Sequence, residues 1–76
     1  MTYVKLPTSD DPDMMYVISK WYKKVGDHVN EGEALMSYEA EKTAEDFEAP
    51  CSGTIVEINA PEDEPVEAGS VICAIE

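Results

Sequence analysis

Residues 16–39, YVISKWYKKVGDHVNEGEALMSYE, decide the fold once they are laid over residues 53–76, GTIVEINAPEDEPVEAGSVICAIE, because the same pattern returns after thirty-seven residues. Ile18 falls on Ile55, Trp21 on Ile58, Asp27 on Glu64, Val29 on Val66, Gly32 on Gly69, Leu35 on Ile72 and Glu39 on Glu76. Apolar meets apolar and glycine meets glycine, as expected of one supersecondary unit used twice. Each unit reads as a β run, a polar turn, a Val-x-x-Gly segment and a second β run, with β-branched and aromatic residues between turn signals. The runs are Tyr16–Tyr22 and Ala34–Ala40 in the first half, Gly53–Ile58 and Val71–Ile75 in the second. Pro7, Pro12, Pro50, Pro61 and Pro65 lie at or between runs, where a residue without an N–H does least harm to a ladder. Helical periodicity is weak throughout, so the reading is an all-β meander in one domain, residues 1–76.

The composition narrows the function. A chain of 76 residues buries only about 60% of its unfolded surface, which leaves no room for a deep cleft. Seventeen acidic residues against five lysines, with no arginine, give a net charge of −12 and a field that repels nucleic acid and anionic membrane. Cys51 and Cys73 lie outside any C-x-x-C pattern, and no signal peptide or membrane-length apolar stretch accompanies them; two free thiols in an intracellular protein are expected. Cys73, within Val71–Ile75, takes a core position. His28 is the only histidine and has no partners at metal-ligand spacing. With no Ser-His-Asp set and no phosphate-cradling glycine loop either, the chain lacks a catalytic apparatus of its own.

Ser37–Phe47, SYEAEKTAEDF, reads as a tight hairpin with Ala40-Glu41-Lys42-Thr43 as its turn and one cation, Lys42, among Glu39, Glu41, Glu45 and Asp46. A pseudo-twofold axis equates this link between halves with the chain ends, and Lys42 steps back by thirty-seven to Lys5. If the halves face each other as two small sheets, the hairpin lies at one edge and the termini at the opposite one. An exposed lysine among carboxylates keeps its proton, so a Schiff-base role is disfavoured; one on a defined tip suits covalent modification by another enzyme. The bland alternative is a solvated turn residue offsetting its neighbours. Trp21 is expected as a core anchor, with Leu35, Ile55, Ile58 and Ile72.

Trp21, Lys24–Val29, Glu31-Gly32, Leu35, Tyr38–Thr43, Glu48-Ala49-Pro50, Gly53-Thr54-Ile55 and Val66-x-x-Gly69-x-x-Ile72 together resemble a lipoyl domain of the acyltransferase component of 2-oxo acid dehydrogenase complexes. The family motif Glu-Thr-Asp-Lys-Ala stands here as Glu39-Ala40-Glu41-Lys42-Thr43, and the family's flanking glycines have counterparts in Gly26 and Gly53. The resemblance implies a flattened barrel, or barrel-sandwich hybrid, of two short-stranded antiparallel sheets. It also implies lipoic acid amide-linked to Lys42, with Glu39, Glu41, Thr43, Gly26 and Gly53 as features of recognition for modification.

The implied domain is a non-catalytic swinging-arm carrier. It takes an acyl group from a 2-oxo acid decarboxylase, delivers it to coenzyme A at an acyltransferase core and is reoxidised by dihydrolipoamide dehydrogenase. Lipoate ligase, or octanoyltransferase with lipoyl synthase, would install the group. A bacterial cytoplasm or a mitochondrial matrix is the implied compartment, and a monomer the implied state of the isolated domain. Because the chain stops at Glu76 without a linker, an excised domain or a free-standing carrier is expected. In Thr8–Met15, TSDDPDMM, Asp10, Asp11 and Asp13 stand where many members carry a Gly-Glu-Gly loop read by the decarboxylase. Two alternatives share the fold: a biotinyl carrier, whose lysine normally lies in Ala-Met-Lys-Met, and an unmodified interaction module.

Overall fold

The computed structural model describes every residue except Pro12, Glu41 and Lys42. Among the described residues it forms eight strands and no helix: β1 (Thr2–Lys5), β2 (Met15–Trp21), β3 (His28–Val29), β4 (Ala34–Ala40), β5 (Thr43–Glu48), β6 (Gly53–Ile58), β7 (Pro65–Glu67) and β8 (Val71–Ile75). Two four-stranded antiparallel sheets run in the orders β1-β8-β6-β3 and β5-β4-β2-β7. The expected all-β architecture of two short-stranded sheets is therefore present, and β4, β6 and β8 span the residues read from the sequence. Pro7, Pro50 and Pro61 lie outside strands and Pro65 opens β7, while the expectation for Pro12 falls outside the described residues.

The two sheets are related strand by strand. Stepping by thirty-seven residues carries β2 onto β6, β3 onto β7 and β4 onto β8, and the remaining places are filled by β5 and β1. The correspondence extends to single hydrogen bonds. Tyr22 N donates to Leu35 O at 2.9 Å, and its twofold mate Asn59 N donates to Ile72 O at 2.8 Å. Glu33 N to Asn30 O is repeated as Ser70 N to Glu67 O, following the left-handed glycines Gly32 and Gly69 (φ 90° and 80°) that close both Val-x-x-Gly turns. Even the irregularities recur. β4 is irregular against β5 between Ala34 and Met36, and β8 against β1 around Ile72. Each bulge breaks the alternation of faces, which is why Leu35 and Met36, like Ile72 and Cys73, are buried in succession.

The halves do not, however, form one sheet each. β3 of the first half pairs with β6 of the second, and β7 of the second pairs with β2 of the first. Gly26 N donates to Ile55 O and its mate Asp63 N to Ile18 O, both at 2.8 Å, so each half clasps the other. A strand of two or three residues cannot persist alone; it is held where a longer strand of the other half offers an edge. Lys5 is likewise no mate of Lys42. It pairs with Val71 while Glu48 pairs with Ala34, and Val71 and Ala34 are mates, so Lys5 corresponds to Glu48.

Between the sheets lie Ile18, Val29, Leu35, Ile55 and Ile72, each fully buried and each contributing about 1.5–3 kcal/mol of apolar transfer. Trp21 and Ile58 are only half-buried. Trp21 packs against the core from one end and donates Nε1–H to Ala60 O at 2.8 Å. An indole with one polar atom settles where that atom finds a carbonyl, so Trp21 borders the core that Leu35, Ile55 and Ile72 fill.

Candidate functional site: the β4–β5 hairpin

β4 ends at Ala40 and β5 begins at Thr43, and these two residues are paired across the hairpin. Two residues connect them, Glu41 and Lys42, the expected recognition residue and attachment point; both lie outside the described residues. The closing pair is secured by Thr43 Oγ1, which donates to Ala40 O at 3.0 Å. Below it Glu39 faces Ala44 on one side and Val17 of β2 on the other, with its side chain exposed. Thr43, Ala44, Glu45 and Asp46 are exposed as well.

The base of the hairpin is aromatic. Tyr38 stands opposite Glu45 and Ile18 in register, with its ring edge-on to Tyr16 (centroids 5.3 Å apart, planes at 76°) and to Phe47 (6.1 Å, 64°). Its hydroxyl donates to Glu45 Oε2 at 3.1 Å, and Tyr22 donates its hydroxyl to Asp46 Oδ1 at 3.0 Å. Burial pushes the Tyr38 phenol above its ordinary pKa, and the Glu45 carboxylate that accepts its proton pushes the same way. The pairing of Tyr38 with Glu45 follows from the sequence once Ala40 and Thr43 are taken as the closing pair. The bond from Tyr22 to Asp46, twenty-four residues apart, has no such signal.

The acidic loop reaches this end of the molecule. Val17 pairs with Glu39, so β2 begins where β4 finishes, and the segment that leads into β2 is the one carrying Asp10, Asp11 and Asp13. All three are exposed. Asp11 Oδ1 accepts from Asp13 N at 2.9 Å and Asp11 O from Met14 N at 3.1 Å, which folds the loop back on itself. This loop is also where the twofold breaks. The return from β5 to β6 takes only Ala49–Ser52, whereas the matching return from β1 to β2 takes residues 6–14.

Gly26 and Gly53 are away from the hairpin tip. Gly26, at φ 97°, sits in the turn before β3 and makes the bond to Ile55 that joins the halves. Gly53 opens β6 opposite Val29; a Cβ there would collide with the Glu76 carbonyl oxygen and come within 2.7 Å of Ile75 Cγ2. Elsewhere, Glu33 is held below the usual carboxylate range by the Asn30 N–H and then by Lys23. Cys73 is buried and Cys51 partly so, both as free thiols. Burial drives the Cys73 thiol up to about 11, with a smaller push from Cys51. No group of three or more metal-ligating side chains occurs among the described residues. A groove between Trp21–Lys24 and Ile58–Glu62, with Tyr22 in its lining, lies at the other end of β2 from the hairpin tip.

The described side chains on either side of the two-residue link, Glu39 and Thr43–Asp46, are exposed. Comparison with known proteins places the fold. The biotin/lipoyl family, described as biotin-requiring enzyme, matches residues 8–75. The chain is 45% identical over 58 residues to the dihydrolipoyllysine-residue acetyltransferase component of the acetoin cleaving system of Bacillus subtilis, covering 76% of this chain and 15% of that protein. It is 38% identical over 74 residues to the corresponding component of the pyruvate dehydrogenase complex of Corynebacterium glutamicum, covering 97% and 11%. The chain thus spans a small part of the length of these relatives. Its fold is similar to the lipoyl domain of the 2-oxoglutarate dehydrogenase complex from Azotobacter vinelandii, with a TM-score of 0.83 and 25% identity over 100% of this chain and 96% of that one. It is also similar to part of the Kluyveromyces lactis urea carboxylase, with a TM-score of 0.66 and 27% identity over 100% of this chain and 8% of that one.

Proposed function

Because the chain belongs to the biotin/lipoyl family and is a lipoyl-type domain of acyltransferase components, we propose that it is a non-catalytic carrier modified at Lys42. The observation that carries this reading is the closing pair Ala40–Thr43, which brings β4 and β5 together with only Glu41 and Lys42 between them. The group that fits is one held covalently, since the described side chains around the hairpin are exposed carboxylates and packed rings. Bound there, lipoic acid would supply a dithiolane able to accept and release an acyl group.

The chain's own residues do the presenting. Ala40 and Thr43 are small and place no bulk beside the link. Glu39, Glu41 and Thr43 are the side chains a modifying enzyme would read. Gly26 and Gly53 serve recognition through the backbone, by letting the halves close and so fixing where β4 and β5 stand. Asp10, Asp11 and Asp13 form the surface a decarboxylase meets beside the hairpin. The partners are then lipoate ligase, or octanoyltransferase with lipoyl synthase, a 2-oxo acid decarboxylase, an acyltransferase core and dihydrolipoamide dehydrogenase. The bacterial relatives favour a cytoplasmic setting. Within a larger chain, tethering would raise the effective concentration of the arm at each partner to about the mM range for short flexible linkers.

The likeness to urea carboxylase favours biotin as the second reading. It is opposed by the residues around Lys42, where Glu41 and Thr43 replace the methionines a biotinyl site would show. Incubation with lipoate ligase, lipoate and ATP is expected to add one lipoyl mass to the wild type and none to Lys42→Ala by intact-mass spectrometry. Incubation with biotin ligase should leave the mass unchanged. A wild type that stays unmodified by lipoate ligase sinks the proposal, and biotin incorporation establishes the alternative.

A further inference from the structure

The carboxylates around Lys42 are not equivalent, and the difference lies in how β5 is held. Among the described residues β5 is an edge strand, paired with β4 alone. Of its six residues only Phe47, toward the end away from the link, is even partly buried. Apolar burial therefore anchors the far end of β5 and leaves the end that leads into Lys42 to other forces. Those forces are the ladder to β4, the Thr43 Oγ1 bond to Ala40 O at the closing pair, and the two tyrosine hydroxyls. Neighbouring residues on a strand project to opposite faces, so Glu45 and Asp46 meet Tyr38 and Tyr22 from opposite sides of the sheet. Tyr38 is 9% exposed and packed edge-on against Tyr16 and Phe47; Tyr22 is 45% exposed, with its backbone N–H bonded to Leu35 O.

We propose that Tyr22 and Tyr38 are positioning residues for modification of Lys42, clamping β5 through Asp46 and Glu45 so that the hairpin is presented in the geometry a modifying enzyme accepts. The twofold supplies the control. Where the hairpin side has Tyr16, Tyr38 and Glu45, the opposite side has Gly53, Ile75 and Thr2, and where it has Tyr22 there is Asn59. Among the described residues the clamp occurs on the hairpin side, and the mate positions hold residues that cannot form it. The acidic setting of Lys42 divides accordingly. Glu45 and Asp46 are occupied in bracing, while Glu39 makes no side-chain hydrogen bond among the described residues and is left to be read. In the sequence Lys42 immediately precedes β5.

The inference rests on the lipoyl reading, and the test separates the two. Steady-state lipoylation by lipoate ligase is compared for the wild type, Tyr22→Phe/Tyr38→Phe, Glu45→Ala/Asp46→Ala and Glu45→Gln. Loosening the hairpin lowers the fraction of molecules in the competent geometry, so KM for the domain should rise about five- to tenfold in both double variants while kcat stays near the wild-type value. Glu45→Gln retains an acceptor for Tyr38 and should keep a KM close to wild type. Amide exchange should quicken in β5 and not in β6 or β8. The phenylalanines retain the rings and the alanines replace exposed side chains, so neither double variant threatens the core. A wild-type KM in the tyrosine pair overturns the inference. So does a raised KM in that pair which the carboxylate pair fails to reproduce, since the effect would then be one of packing. An unmodified wild type removes the lipoyl reading and this inference with it, whereas a modified wild type with equally modified variants removes this inference alone.

Discussion

At the scale of single residues, the twofold shows what each position is asked to do by what its mate does instead. Tyr16 and Gly53 are mates: one fills its place with a ring edge-on to Tyr38, the other leaves it empty so that Glu76 and Ile75 can close in. Thr54 and Glu76 exchange two backbone bonds across that closure, 3.1 and 2.9 Å long. Gly53→Ala puts a methyl group against backbone, which cannot rotate aside as a side chain could. It is expected to cost about 1–3 kcal/mol, read as a lower urea midpoint at unchanged m-value. An unchanged midpoint would mean that the last residues move away freely. Trp21 shows the limit of reading residues singly. Its size marks it as a core anchor, yet its N–H draws it to the border, beside Ala60.

Among elements, β8 is the most enclosed. It lies between β1 and β6, and Ile72, Cys73, Ala74 and Ile75 are all buried. That enclosure sets a pH limit. The Cys73 thiol ionises at about 11 in the folded chain against an ordinary 9.0, so folding favours its neutral form. The stabilisation is complete below pH 9 and is lost as pH rises through 11. The urea midpoint of the wild type should therefore fall more steeply between pH 9 and 11 than that of Cys73→Ala; parallel curves would show that the thiol is not protected. Legibility also divides by element. β4, β6 and β8 and the hairpin turn were readable because five or more alternating or apolar residues end at glycine, proline or acidic turns. β3 and β7 show in the sequence only as Val-x-x-Gly segments, since two or three residues carry no period, and β1 lies outside the repeat. The hairpin was placed by its sequence, but its bracing by Tyr22 was not, because that bond closes over twenty-four residues.

For the whole molecule the twofold is a structural constraint with measurable consequences. Gly26 and Asp63 occupy matching turns, both with positive φ (97° and 66°), and each donates its N–H to the other half. Glycine takes this conformation freely and aspartate tolerates it better than most residues. Gly26→Ala should cost about 1 kcal/mol, because it must hold a left-handed backbone to keep the bond to Ile55. Asp63→Gly should lie within about 0.5 kcal/mol of the wild type, relief of strain offsetting the greater entropy of the unfolded glycine. Urea denaturation distinguishes these outcomes, and a large loss for Asp63→Gly would show that its side chain, not its backbone, holds the turn. By itself the sequence determined the repeat, the all-β class, the principal strands and the hairpin that carries Lys42, because these follow from local periodicity and turn chemistry. Only the tertiary structure decided that β3 and β7 cross between halves, that the acidic loop breaks the symmetry beside the hairpin, and that two of the carboxylates near Lys42 brace its strand. Those depend on which distant edges and hydroxyls meet when the chain closes, and closure is a property of the whole chain that no short window contains.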